Sequence, residues 1–292
     1  MFQKKNQIEL MEVSLRDGLQ NEKAILSVEQ KLDILENLIA LKVDQIELAS
    51  FVHPKRVPQM KNSDDFVKAA TLKYPNAKFS GLAPNEKGLE RLLKAGLKNA
   101  NLLYSISLTH NQKNIGSSIN ESKSKIKNCL KMLSKGSKKR LYLSCIFDCP
   151  FEGQTNFNKV LPEIIWALEN NFDEISLGDT IGSANFIRTE ELISLIDKKL
   201  PEAKESIFWH FHNTKGQAIS NITICSKAGF FKFDSSLGGI GGCPFAPGAR
   251  GNVATEEIAY AFSKTQTKIC AVDSDDSESR ANWLRNLISK NS

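Results

Sequence analysis

Apolar segments short enough for strands alternate with longer amphipathic segments along the whole of this 292-residue chain. The strand-like segments are residues 8–13, 45–49, 78–82, 101–106, 140–147, 174–177, 207–211 and 230–234. The helix-like segments are residues 27–41, 64–72, 86–95, 119–133, 159–169, 189–200, 215–227 and 254–263. Strands separated by helices pair in parallel through right-handed crossovers, so this order predicts an α/β fold.

An open doubly wound sheet and a closed (β/α)₈ barrel both satisfy this order. Eight repeats of the strand–helix unit favour the barrel, which typically takes about 250 residues. No Gly-x-Gly-x-x-Gly motif follows the first strand, which argues against a dinucleotide-binding sheet. We therefore predict a TIM barrel over residues 1–264. Residues 265–292 are predicted to form a polar linker and a short C-terminal helix, 279–288, that packs on the barrel or on a partner subunit.

The composition argues against several other classes of protein. No apolar run approaches the roughly 18 residues that a membrane span needs, and the N-terminus passes directly into a strand-like segment, which predicts a cytoplasmic protein. The net charge of +6 comes from dispersed lysines without clustered aromatics, so nucleic acid is not an expected partner. Reduced core cysteines are predicted at five positions in mostly apolar surroundings: Cys129, Cys145, Cys149, Cys225 and Cys270.

A glycine-rich segment follows the last predicted strand. Residues 238–251 hold six of the seventeen glycines, and Cys243 lies among them. Glycine loses more backbone entropy on folding than any other residue, so such a run is costly within a packed element. The segment is either a flexible surface loop with an incidental cysteine or a mobile loop that brings a thiol over a ligand.

Unusual polar side chains occur where the predicted strands end, which is the end of a (β/α)₈ barrel that carries the active site. His210 and His212, two of the four histidines, alternate on the seventh strand and so share a face. Together with Asp17 after the first strand, they form a reasonable ligand set for a divalent metal, to which Asn252 can add an amide oxygen. The alternative is a pair of hydrogen-bonded core histidines.

Arg16 precedes Asp17 at the same end of the barrel. A buried arginine needs a carboxylate partner or an anionic ligand, and Glu47 and Asp179 are candidates both for that partner and for a catalytic role. A divalent metal, Arg16 and Cys243 together suit making or breaking a carbon–carbon bond beside a carbonyl. In such a reaction the arginine would hold the oxygen on which enolate charge develops, and the thiol would exchange a proton.

Several motifs resemble those of 3-hydroxy-3-methylglutaryl-CoA (HMG-CoA) lyases and keep their order over nearly the whole chain. They are Arg16-Asp17-Gly18-Leu19-Gln20-Asn21-Glu22, Ser50-Phe51-Val52, Val57-Pro58-Gln59-Met60, Ser176-Leu177-Gly178-Asp179-Thr180-Ile181-Gly182, His210-x-His212, Gly216-Gln217-Ala218, Gly241-Gly242-Cys243-Pro244-Phe245-Ala246 and Gly251-Asn252-Val253-Ala254-Thr255-Glu256. The resemblance implies a (β/α)₈ lyase that uses Mg²⁺ or Mn²⁺, cleaves the acyl-CoA substrate HMG-CoA to acetyl-CoA and acetoacetate, and forms a homodimer or larger homo-oligomer.

The resemblance also implies roles for individual residues. It makes Arg16 the arginine that stabilises the enolate and Cys243 the loop cysteine. The implied metal ligands are Asp17, His210, His212 and Asn252. Acidic residues near the site are implied at Glu47, Asp179 and Glu256.

Departures from the family pattern leave alternatives open. Leu108 stands where the family usually has a glutamate and Arg56 where it typically has a tryptophan, so a related branched 3-hydroxyacyl-CoA is an alternative substrate. Condensing synthases of the isopropylmalate or homocitrate type share the Arg-Asp and His-x-His motifs, but they typically carry a long C-terminal region, and only residues 265–292 follow the predicted barrel. A non-catalytic barrel predicts the loss of a metal ligand or of the thiol, and the sequence retains both.

Overall fold

Eight parallel strands pair in sequence order and close on themselves in the computed structural model, which describes residues 7–242, 251–265, 267–269 and 272–292. The strands are β1 (Gln7–Glu12), β2 (Gln45–Ser50), β3 (Phe79–Leu82), β4 (Asn99–Ser105), β5 (Lys139–Ser144), β6 (Glu174–Asp179), β7 (Ile207–Phe211) and β8 (Lys232–Ser235). The closing pair is β8 with β1, where Glu9 lies opposite Lys232. The predicted TIM barrel is confirmed.

Helices follow the strands and cover the outside of the barrel. They are α1 (Val28–Ala40), α2 (Ser63–Lys73), α3 (Glu86–Lys94), α4 (Leu108–Ile115), α5 (Ile119–Met132), α6 (Val160–Glu169), α7 (Phe186–Lys199), α8 (Ala218–Lys227), α9 (Thr255–Phe262) and α10 (Ser274–Lys290). Helix α1 begins with a capping box, in which the Ser27 hydroxyl accepts a bond from the Gln30 amide at 3.2 Å and the Gln30 side chain accepts one from the Ser27 amide at 2.9 Å.

Three short strand segments supplement the barrel. Asp148–Cys149 and Gly153–Gln154 form a small antiparallel hairpin after β5, and Lys268–Ile269 pairs with the first residues of β1. Over the described ranges, no helix is both long enough and apolar enough to cross a membrane. The four described cysteines are buried free thiols, as predicted: Cys129, Cys145, Cys149 and Cys225. Cys243 and Cys270 lie outside the described residues.

The interior of the barrel is polar, and its charged groups are paired. Arg140 on β5 donates to Glu174 on β6 at 2.9 Å and to Asp234 on β8. Gln45 on β2 donates to the other oxygen of Glu174, also at 2.9 Å. All four residues are buried. Because a buried charge is costly unless it is paired and hydrogen-bonded, this network holds the strands in one arrangement and continues toward the open end of the barrel.

Two helices differ most from the predictions. Helix α4 was not predicted because its sequence has no apolar periodicity; it begins where the Ser107 hydroxyl accepts a bond from the His110 amide at 3.1 Å. Helix α10 begins at Ser274 rather than at residue 279, because the Asp273 carboxylate caps it by accepting bonds from two backbone amides at 3.0 and 2.9 Å. Part of the stretch predicted as a polar linker is therefore helical.

Candidate active site

Four of the sequence-predicted site residues meet at the carboxyl ends of the strands, whereas the predicted catalytic Cys243 lies outside the described residues. A cavity of about 140 Å³ opens there, lined in part by Arg16, Asp17, His210 and His212. Residues from the first and seventh strand–helix units therefore share one site, as expected for a (β/α)₈ barrel.

A single wide helical turn after β1 places Arg16 and Asp17 side by side. In this turn, Ser14–Gly18, the Gly18 amide donates to the Val13 carbonyl at 3.0 Å, a five-residue spacing that forms a π-turn. Such turns are rare in proteins overall, and those that occur are frequently found at functional sites. Arg16 is buried and donates to the carboxylate of its neighbour Asp17.

His210 and His212 face the Asp17 carboxylate from β7 and from the residue just after it. Their Nε2 atoms lie 3.9 and 3.7 Å from Asp17 Oδ2. Each Nδ1 points away from the carboxylate: that of His210 lies 3.0 Å from Asp234 Oδ2, and that of His212 lies 2.9 Å from the Asp179 carbonyl oxygen. Because both partners are hydrogen-bond acceptors, each Nδ1 donates to its partner, and this bond turns each Nε2 toward the site.

These residues fit a divalent metal. The ligand atoms of Asp17, His210 and His212 lie within 4.8 Å of one another. The Nε2 atom of His212 is buried without a hydrogen-bond partner, a costly arrangement that a cation between these groups would relieve. Burial alone would raise the pKa of Asp17, but Arg16 and the two histidines outweigh burial and hold the pKa well below its usual range. Asp17 is therefore ionised and can offer a carboxylate oxygen to a cation.

Asn252 reaches the same carboxylate from beyond the glycine-rich segment. Its position is set by backbone bonds to the end of β7, since the Val253 amide donates to the Phe211 carbonyl at 3.1 Å and the Asn213 amide donates to the Gly251 carbonyl at 2.8 Å. The Asn252 amide nitrogen donates to Asp17 Oδ2 at 2.9 Å. The structure therefore brings together all four predicted metal ligands.

Glu47 holds the guanidinium of Arg16. Its Oε2 accepts bonds from Arg16 Nε at 2.5 Å and from the Tyr142 hydroxyl at 3.0 Å, and its Oε1 accepts one from Asn101 Nδ2 at 2.7 Å. The Arg16 guanidinium also lies 4.9 Å from the centre of the Tyr142 ring. Glu47 is thus an ion-pair partner of Arg16, which is one of the two roles that the sequence left open for it, and its contacts fix the direction in which Arg16 points.

Asp179 contacts the site through its backbone. Its side chain does not take the predicted place beside Arg16; instead its carboxylate accepts bonds from the amides of Ser183 at 3.0 Å and Ala184 at 3.2 Å. Burial raises the pKa of this carboxyl to about 7. Its carbonyl oxygen accepts the bond from His212. The geometry therefore places Asp179 as a residue that orients a predicted metal ligand.

Comparison with known proteins identifies the family. The HMGL-like family profile matches residues 7–280. The chain belongs to the HMGL-like family. It is 35% identical to hydroxymethylglutaryl-CoA lyase YngG of Bacillus subtilis over 288 residues, covering 97% of this chain and 94% of the relative. It is 39% identical to the 3-hydroxy-3-isohexenylglutaryl-CoA/hydroxy-methylglutaryl-CoA lyase of Pseudomonas aeruginosa over 254 residues, which cover 87% of this chain and 84% of the relative.

Solved structures agree with this membership. A Brucella melitensis HMG-CoA lyase superposes with a TM-score of 0.91 at 31% identity, covering 97% of this chain and 99% of the other. An Acinetobacter baumannii HMG-CoA lyase in complex with coenzyme A and 3-methylmalate superposes with a TM-score of 0.92 at 30% identity, covering 99% and 93%. The carboxyl transferase domain of Rhizobium etli pyruvate carboxylase, 13% identical with a TM-score of 0.70, shares the fold.

In this HMGL-like chain, the buried residue that contacts the candidate metal ligand His210 on the side away from Asp17 was not predicted from the sequence. Asp234 binds His210, Ser176 and Arg140, with the Ser176 hydroxyl donating to it at 2.8 Å. The available signal was alternation on β8, where Lys232 and Asp234 share a face. That signal becomes usable only once the register places this face toward the barrel interior.

Proposed function

We propose that the chain is a metal-dependent lyase that cleaves HMG-CoA to acetyl-CoA and acetoacetate. The observation that carries this proposal is the convergence of Asp17, His210, His212 and Asn252 beside the guanidinium of Arg16. The HMG-CoA lyases among its relatives and structural neighbours support the same reaction class.

The reaction needs a site that favours an alkoxide and then an enolate. The C3 hydroxyl loses its proton, the C2–C3 bond breaks, and the electron pair left on C2 forms the enolate of acetyl-CoA, which then takes a proton. A divalent cation held by the four ligands would lower the pKa of the substrate hydroxyl and polarise its neighbouring oxygen. Mg²⁺ or Mn²⁺ suits the mixed oxygen and imidazole ligands.

Arg16 would bind the substrate oxygen on which enolate charge develops. The guanidinium is buried and is oriented by Glu47 and Tyr142 before substrate arrives. A preorganised donor of this kind stabilises developing charge without reorganising in the reaction. Glu47 would act as a positioning residue, because it contacts Arg16 rather than facing the metal ligands.

Cys243 is proposed as the thiol that exchanges the proton with the acetyl-CoA carbanion. It follows Gly242, which lines the cavity and whose carbonyl accepts a bond from the Asn21 side chain. We expect Cys243→Ser to lower turnover by orders of magnitude while Mn²⁺ binding persists. Full activity in that variant would make the thiol incidental.

The wider setting is proposed with the reaction. The protein would act in the cytoplasm as a homodimer or larger homo-oligomer, and its products suit leucine degradation and ketone-body formation. A longer branched 3-hydroxyacyl-CoA is the second candidate substrate, because Leu82, Leu103 and Leu143 give the cavity an apolar wall.

A substrate comparison tests the proposal. The reduced protein is incubated with Mg²⁺ or Mn²⁺ and either HMG-CoA or an analogue with a longer C3 branch, and acetyl-CoA is measured. HMG-CoA should have the higher kcat/KM. Preference for the analogue would support the second candidate, and inactivity with both would contradict the lyase reaction.

A further inference from the structure

Helix α10 contacts the start of the glycine-rich segment, just after β8. The contact is at the turn Leu237–Gly239, where Gly238 and Gly239 have φ values of 76° and 62°. These left-handed values favour glycine. A Cβ on Gly238 would lie 3.4 Å from Arg285 Cγ and 3.5 Å from the Ala281 carbonyl oxygen, so α10 packs directly against this turn.

Glu256 and Arg285 form hydrogen bonds with the backbone amide and carbonyl of Gly238. The Gly238 amide donates to Glu256 Oε2 at 2.9 Å, and Arg285 Nη1 donates to Glu256 Oε1 at 2.8 Å and to the Gly238 carbonyl at 3.3 Å. Glu256 is 4% exposed, so its charge depends on Arg285 for compensation. The other guanidinium nitrogen is held on α10 by Asn282 at 2.8 Å and Glu278 at 3.1 Å.

Ile240, the residue after this turn, contacts one predicted metal ligand and the neighbour of another. The Ile240 carbonyl accepts a bond from the Asn252 side chain at 3.2 Å, and Asn252 in turn donates to Asp17. The Ile240 side chain also packs on Gly18, the residue after Asp17, where a Cβ would lie only 2.8 Å from Ile240 Cγ1. A displacement of the turn would therefore move Asn252 relative to the Asp17 carboxylate.

We infer that Arg285 of the C-terminal helix is a positioning residue for the metal centre, acting through Glu256 and the Gly238 turn on Asn252. This inference rests on the proposed function, in which Asn252 is a metal ligand. It gives Glu256 and α10 a shared role: they fix the backbone that carries the Asn252 contact.

The test compares two arginines of the same helix. Arg285→Gln removes the charged contacts to the turn, whereas Arg280→Gln is the matched control, because Arg280 binds Asp276 and Asn37 instead. Because Arg285 acts on the metal site only through Glu256 and the turn, we expect Arg285→Gln to raise the Kd for Mn²⁺ roughly three- to tenfold and to lower kcat more than it changes KM. Arg280→Gln should stay within about twofold of wild type.

Equal Mn²⁺ affinities in the two variants would overturn the inference, and Arg285→Lys should recover part of the loss. Hydrogen exchange of the metal-free proteins supplies a second readout, since Arg285→Gln should accelerate exchange across Leu237–Gly239 and leave β5 unchanged. Acceleration spread over the barrel strands would show a general loss of stability and would also overturn it. A wild-type protein that binds Mn²⁺ but lacks lyase activity would refute the proposed function while leaving this inference standing.

Discussion

Replacing Asp234 with asparagine should weaken Mn²⁺ binding although Asp234 is not a metal ligand. The Asp234 carboxylate is fully buried and lies 3.0 Å from His210 Nδ1, a contact that orients the ring so that Nε2 faces Asp17. Arg140 and Ser176 donate to the same carboxylate. An asparagine offers one acceptor oxygen to three donors and brings an amide N–H among them, so His210 loses its fixed orientation.

The expected magnitude follows from the bond that is lost. A hydrogen bond to a charged group contributes about 1.5–3 kcal/mol, and each 1.4 kcal/mol is a factor of about ten, so the Kd for Mn²⁺ should rise roughly ten- to hundredfold. Outer-shell partners of metal-binding histidines have effects of about this size. The loss of stability should stay below the roughly 3–5 kcal/mol of a broken buried pair, because Glu174 still binds Arg140 at 2.9 Å.

Mn²⁺ titration followed by electron paramagnetic resonance measures this effect directly, without substrate. Ser176→Ala is the matched control, since it removes one other donor to this carboxylate and keeps the contact between the carboxylate and His210. We expect the control to change the Kd by less than about threefold. If Asp234→Asn binds Mn²⁺ as tightly as the control does, the carboxylate does not orient His210 in the way that the geometry indicates.

Three further predictions address other parts of the molecule. Glu47→Gln frees Arg16 and should lower kcat about a hundredfold in steady-state assays, with unchanged kcat as the contrary result. Gly241→Ala (φ 97°) would place a Cβ 2.8 Å from a backbone oxygen and should weaken Mn²⁺ binding. Gly136 has a similar φ of 92° but open space around it, so Gly136→Ala should leave Mn²⁺ binding intact. Equal Mn²⁺ affinities in the two variants would contradict a steric effect at Gly241. Burial lowers the pKa of Lys31 to about 8, so the unfolded chain binds this proton more tightly than the folded protein does. The free energy of unfolding, measured by denaturant titration, should therefore rise with pH from about 8 upward relative to that of Lys31→Met. A difference that does not change with pH would contradict this burial effect.

Much of the fold could be predicted from hydrophobic patterning. Strand β7 has the predicted ends, 207 and 211, because its apolar run is sharply bounded by polar residues. The start of α1 was predicted from the cap at Ser27. Helix α4 could not be predicted from hydrophobic patterning, because it depends on a serine cap rather than on an apolar face, and its Leu108 is 66% exposed.

The grouping of the candidate metal ligands could be predicted because strand-end position and alternation apply before any tertiary contact is known. His210 and His212 needed only the spacing of alternate strand residues. Arg140 on β5 and Asp234 on β8 lie three strand–helix units apart and meet only inside the closed barrel, so their pairing depends on register between strands. The contact of Arg285 with Gly238 likewise depends on how α10 packs, which its sequence pattern leaves undetermined.

The most direct test of the central claim is product formation by metal-stripped and metal-restored protein. The protein is treated with a chelator, kept reduced, and given HMG-CoA with and without added Mn²⁺, and acetyl-CoA and acetoacetate are both quantified. We predict equimolar formation of the two products only after Mn²⁺ is restored. Equal product in the stripped protein, or no acetoacetate in the restored one, would contradict a metal-dependent HMG-CoA lyase at this site.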